Sequence, residues 1–239
     1  MERMTDRSLH SAAAAEPIHY YPAHAKGAPQ AVHRASAHFL DSDHPAVRRF
    51  AEDAVRGASS APERAVRLFY AVRDGYRYDA FSARLDPASY VASNIATGGA
   101  TFCIPKAILL AAAARAAGIP SGIGFSDVRN HLTTPRLRER MGGNDLFVNH
   151  GYAVLYLEGG WVKAAPAFNI ELCERFHVRP TEFDGRRDAV FQEFDQRDRR
   201  HMEYVADHGM WSDVPFDKMI AELQAAYPPS FFVDSGETF

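Results

Sequence analysis

Two residues in this 239-residue chain have the type and the setting for covalent chemistry, Cys103 and His150. Cys103 stands near the start of "GGATFCIPKAILLAAAARAAGIP" (98–120), an alanine-rich apolar stretch that reads as a buried helix. A helix start lowers a thiol pKa, because unpaired backbone N–H groups and the helix dipole favour the thiolate. Pro105 suits a first turn, where its missing N–H costs nothing. Gly98 and Gly99 allow the preceding loop to bend and approach a substrate, and the Cys103 N–H is placed to help hold an oxyanion. A lone cysteine on an apolar helix is otherwise a small core residue. What raises Cys103 above that is a candidate base, since a nucleophilic thiol needs an imidazole within hydrogen-bond reach. His150 opens the strand-like run "HGYAVLYLEGGWVKAAP". A strand edge facing a helix start is a rigid way to join the two groups. His131, in "DVRNHL", is the runner-up. The histidines at 10, 19, 24, 33, 38 and 44 lie in an N-terminal arm or ahead of the first helix and read as surface groups.

The blocks "GGATFCIPKAILLAAAARAAGIPSGIGF" and "NHGYAVLYLEGGWVKAAPAFN" together resemble the transglutaminase-like core of the papain-like cysteine enzymes. The resemblance covers about residues 60–170. It implies an α+β fold in which a nucleophile-bearing helix packs on an antiparallel sheet. It also implies Cys103 as nucleophile and His150 as general base and acid. In that family an Asp before a Pro-Thr follows the tryptophan, but here Ala165 precedes Pro166, so no carboxylate orients His150 from that position. That third residue normally fixes the imidazole tautomer. Asn169 is a candidate replacement, and equally a helix N-cap for "IELCERF"; Glu171 and Asp184 are weaker alternatives.

The stretch 127–143, "DVRNHLTTPRLRERMGG", separates the two catalytic candidates and reads as a substrate-binding loop, with Arg129, Asn130, His131 and Arg136 able to meet a polar substrate. Asn149 beside His150 reads as orienting backbone or substrate, and Trp161 as a shield for the pair or a core residue. Cys173 falls at a helical core phase and reads as inert, with no disulfide to Cys103.

The remaining elements are those that must position this pair. Helices are expected over 43–57, with Asp43 as cap, and over 60–75, capped by Ser60 and stopped by Gly75. Residues 76–81 alternate like a short strand. After the cysteine helix come a strand over 121–128, a loop with a helical turn over 132–143, and two strands joined at Glu158–Gly159–Gly160. A short helix over 169–176 and a last helix over 216–229 complete the series. The charge-dense segment 184–209 reads as a solvated face or a lid. Residues 1–36 read as an irregular arm with one strand near "IHYYPAH", and 37–239 as a single domain ending in a tail with two aromatic anchors. Helices before an antiparallel sheet make the α+β pattern.

Composition excludes other classes. The apolar fraction is 46%, the charged fraction 24% and the formal net charge −3, so no basic field argues for nucleic acid or an anionic membrane. Two cysteines make no disulfide framework and imply a reducing cytoplasm. Arg115 interrupts the longest apolar run before it reaches a membrane span. HExxH, CxxC, Walker and GxGxxG patterns are absent, so neither metal nor organic cofactor is expected.

The expected activity is cysteine-dependent acyl chemistry through a thioester on a peptide, protein or small amide or ester. Hydrolysis is slightly favoured over transfer to an amine. The rival reading is an inactive transglutaminase-like binding module, which Ala165 supports; a third is an assembly protein whose arm docks a partner.

Overall fold

The cysteine helix is apolar on every side, and such a helix must be buried all round. In the computed structural model, which describes residues 17–23, 27–191 and 194–233, it is. Helix α4, Cys103–Ala116, is covered from Cys103 through Arg115. On one side lie α1 (Pro45–Ala54), α2 (Ala61–Gly75) and α3 (Ala92–Ala96); on the other lies the sheet, chiefly β3.

The sheet has the spatial order β1-β5-β2-β3-β4 and is antiparallel throughout. Its strands are β1 (Tyr20–Tyr21), β2 (Ser121–Asn130), β3 (Leu146–Leu157), β4 (Gly160–Ala164) and β5 (Met202–Trp211). Helices α5 (Pro135–Arg140), α6 (Ile170–Phe176) and α7 (Phe216–Ala226) complete the fold. The α+β class and the helix-on-sheet arrangement are as expected from the sequence. Glu158 and Gly159 both have positive φ, 48° and 90°, the conformation of a two-residue hairpin turn. Leu157 pairs with Gly160 across it.

Several expectations are corrected. Residues 202–209, placed within a solvated face or lid, belong to β5 (Met202–Trp211), between β1 and β2. The charged side chains project from a strand paired along its length with β2 and, at Met210 and Trp211, with β1; its end, Gly209 to Trp211, is buried. Residues 76–81 are not a strand. Tyr78 makes one parallel bridge to Thr101, and Ala80–Ser82 is a 3-10 turn capped by Asp79. The cap of α1 is His44, whose Nδ1 accepts from the Ala46 N–H at 3.2 Å, rather than Asp43. Ser60 caps α2, and Gly75 ends it.

Of the expected arm strand, Tyr20 and Tyr21 pair with Trp211 and Met210, while residue 24 lies outside the described residues. Phe231 and Phe232 are buried; the tail after 233 lies outside the described residues. No helix among the described residues is long and apolar enough to cross a membrane.

Candidate active site

Cys103 is the first residue of α4, and no side chain caps the helix start. The loop ahead of it is pinned rather than free. Thr101 N–H donates to Arg77 O at 2.9 Å, and Asp79 N–H donates to Thr101 O at 2.8 Å. Neither Gly98 nor Gly99 takes a left-handed conformation, so the expected sharp bend is not made there. Gly98 instead ends α3 through its N–H to Ile95 O.

His150 lies on β3 just past an irregularity in its pairing with β2. Ser126 faces His150, and Val128 faces Phe147, so two residues of β3 oppose Asp127. Such bulges re-aim side chains beside functional sites. Asn149 occupies the bulge with φ 56°. Two hydrogen bonds of its own hold it there, and two through Tyr227 hold the residues before it. Its N–H donates to Asp127 Oδ1 at 3.1 Å, and its Nδ2 donates to Glu222 Oε2 at 3.0 Å. The Tyr227 hydroxyl accepts from Val148 N–H at 2.7 Å and donates to Leu146 O at 3.1 Å. Asn149 thus serves the strand edge that carries His150.

Gly151 joins the two halves. A Cβ on it would lie 2.8 Å from Ile104 Cα, so only glycine lets β3 approach the first turn of α4 this closely. The backbone N–H groups of Gly151, Ile104 and Cys103 itself surround the thiol and favour its ionised form. Burial outweighs them and pushes the Cys103 thiol up to about 11. Burial likewise pulls the His150 imidazole down to about 3. Nε2 of His150 has no hydrogen-bond partner among the described residues, and the ring packs on Phe191 at 4.6 Å. No hydrogen bond joins Cys103 to His150. At rest Cys103 is therefore a neutral thiol and His150 a neutral imidazole, both buried.

The position where a carboxylate was expected is apolar. Ala165 is fully buried among Tyr152, Val154 and Met210, and its N–H donates to Ala189 O. Asn169, the candidate replacement, is committed elsewhere. Its Oδ1 accepts from Tyr78 N–H at 2.9 Å, and its Nδ2 donates to Glu171 Oε2 at 2.6 Å. It makes no side-chain cap to α6 either. Through Tyr78, which bridges Thr101, Asn169 braces the cysteine loop rather than the histidine. Asp184 accepts from Arg186 and Arg187 N–H groups in its own loop.

The other sequence candidates divide. Asn130 ends β2, is buried, and borders the space beside His150. His131 is turned away, its Nε2 3.0 Å from Glu203 Oε2, and Glu203 also meets Arg129 and Arg200. Arg136 lies over the Phe81 ring at 5.2 Å. Trp161 does not shield the pair. It donates from Nε1 to Gly27 O at 2.8 Å and packs on His33 and Tyr156. Phe191 provides the aromatic cover instead, and its segment gave no periodic signal. Cys173 is buried and free, its thiol pushed up by burial. Gly151 and Lys106 were not singled out from sequence. A glycine directly after a candidate histidine inside a strand was the available signal for the first. Nothing in the sequence marked Lys106 apart from a lysine inside an apolar helix.

The family model described as "Transglutaminase-like superfamily" matches residues 48–166, which include both Cys103 and His150. No curated protein matches the chain. Among solved structures, a "Putative Cysteine Protease" from Cytophaga hutchinsonii is similar at 14% identity and a TM-score of 0.43. The similarity covers 74% of this chain and 52% of that one, so this chain spans about half of that protein's length.

Proposed function

Because the chain belongs to the transglutaminase-like superfamily, we infer that it carries out cysteine-dependent acyl chemistry at Cys103. The observation that carries this reading is the junction at Gly151, where the strand bearing His150 meets the first turn of α4 and three backbone N–H groups face the thiol. The Cys103 sulfur attacks an amide or ester carbonyl while the neutral imidazole of His150 takes the thiol proton. The carbonyl oxygen gains negative charge, which backbone N–H groups at the helix start stabilise. Collapse breaks the bond to the amine or alcohol, which leaves with the proton from His150. Water then cleaves the thioester to a free acid; an amine in its place would give a new amide. Hydrolysis is the favoured outcome.

Burial keeps His150 unprotonated at neutral pH, but by lowering its pKa to about 3 it also weakens it as a base. It does not give a standing thiolate. Proton transfer and attack are accordingly coupled, and the attack proceeds without an orienting carboxylate at Ala165.

The second reading is a binding module on the same scaffold. It is favoured by Ala165 and by the missing Cys103–His150 hydrogen bond. The deciding experiment measures turnover of activated esters and amides by the wild type, Cys103→Ala and His150→Ala. Loss of turnover in both variants, with unchanged melting, supports acyl chemistry. Equal turnover in all three leaves the binding module.

A further inference from the structure

Between the turn before α5 and α6 lies a cavity of about 300 Å³. This is the lower end of the range of about 300–1,000 Å³ for small-molecule sites. Its walls are mostly apolar, with Leu132, Leu137, Phe168, Leu172, Phe176 and Val178 among them. Asn130, Leu137 and Phe168 also wall a second, small cavity of about 20 Å³, and His150 lines that one. The groove and the space at His150 are thus two sides of one partition. Behind the partition is His150, 3% exposed, whose Nε2 has no hydrogen-bond partner among the described residues. The partition is aromatic: the Phe168 ring lies 4.8 Å from that of Tyr78 and 4.6 Å from that of Phe191.

The polar groups of the groove carry no net charge. Arg199 reaches it, but its Nε is 2.8 Å from Oδ2 of Asp195, a fully buried carboxylate, so its charge is answered within the protein. His201 is 5% exposed and faces the groove beside Phe168, and burial pulls its imidazole down to about 4, leaving it neutral at pH 7. A charged ligand would lose its hydration here and find no partner. An apolar one would lose nothing and gain burial.

We propose that this groove is the acyl-group subsite: it takes an uncharged apolar acyl chain or ring against the wall it shares with His150, and the carbonyl reaches Cys103 once the Phe168 ring turns aside. The proposal rests on the acyl-chemistry reading and adds the class of substrate. The groove selects by size and lack of charge, and the hydrogen-bonding imidazole of His201 is available to a single polar atom on the ligand.

The test uses p-nitrophenyl acetate, hexanoate and 6-aminohexanoate, with the rate of Cys103→Ala subtracted. It adds binding of hexanamide and acetamide to the Cys103→Ala protein by calorimetry. Expected is a kcat/KM for hexanoate about tenfold or more above that for acetate and for the cationic ester. In Leu132→Trp, which fills the groove, the hexanoate-to-acetate ratio should fall toward one; Val178→Phe serves the same purpose if the tryptophan variant melts early. Cys103-dependent turnover with no preference among the three esters would overturn the subsite and leave the chemistry standing. No Cys103-dependent turnover, but binding of hexanamide over acetamide that Leu132→Trp removes, would keep the groove as a site for apolar amides and remove the enzyme. Absence of both the ester preference and the amide binding would overturn the proposal.

Discussion

The strand that carries His150 meets the first turn of α4 at Gly151, the Cys103 and His150 side chains are buried, and burial sets their protonation. A thiol raised to about 11 and an imidazole lowered to about 3 cannot form a thiolate–imidazolium pair at rest. Alkylation of Cys103 by iodoacetamide should therefore still be accelerating at pH 9 in the free protein, with no plateau below pH 8. His150→Ala should leave the shape of that profile unchanged, since no hydrogen bond links the two groups. Peptide mapping separates Cys103 from Cys173, whose thiol is also raised to about 11. A plateau below pH 8 that His150→Ala removes would mean that the pair is ionised and that the site opens in solution. At this scale the sequence was informative about residue identity and less so about partners. The cysteine at a helix start was legible from local pattern, and so was a strand carrying the histidine, although β3 begins at Leu146 and not at His150. The partners of Asn169 and Trp161 were not legible. They depend on which segments the fold lays beside them, Tyr78 in one case and Gly27 with His33 in the other.

The elements meet through two contacts that can be broken singly. The first is Gly151 against Ile104. In Gly151→Ala the new Cβ meets backbone, not a flexible side chain tip, so β3 must move off α4. A loss of about 1–3 kcal/mol is expected by urea denaturation, together with loss of any Cys103-dependent turnover. Retained stability and turnover would mean that the junction is not tight. The second is Lys106, fully buried one turn after Cys103. Its Nζ donates to the carbonyls of Arg73 and Tyr76 at 2.7 and 2.6 Å, where a cation satisfies the exposed C-terminal end of α2. Burial pulls its pKa down to about 7. Lys106→Met keeps the length and removes the donor, leaving two buried carbonyls unpaired. The cost should be about 1–3 kcal/mol for each group left unsatisfied, and a melting temperature equal to wild type would refute this role. The elements themselves show why some patterns were readable. Helix α4 and the β3–β4 hairpin carry unbroken apolar runs and a turn signal, which local physics decides. Strand β5 follows a charge-dense stretch and itself carries Glu203, Asp207 and His208, and only pairing with β2 and, at its end, β1 makes it a strand.

At the scale of the whole molecule, three buried histidines tie stability to acid. His33, His150 and His201 are held by burial at about 4, 3 and 4, against about 6.5 for a free imidazole. As pH falls below about 6.5, the unfolded chain takes up protons that the native state refuses, so native stability declines until pH reaches the folded values. Each histidine contributes at most about 1.4 kcal/mol per pH unit within that window. Asp213 opposes them, since burial raises its carboxyl, but it is a single group set against three and acts only near the bottom of the window. Urea unfolding at pH 7, 6 and 5 should show stability falling most steeply between 6 and 5. His201 is the cleanest of the three to replace. His201→Phe should remove about one third of that slope. A pH-independent stability from 7 to 5 would mean that these imidazoles reach water in the native state. Acid would then ionise His150 without unfolding, and the dry site that makes it a neutral base would not exist in solution.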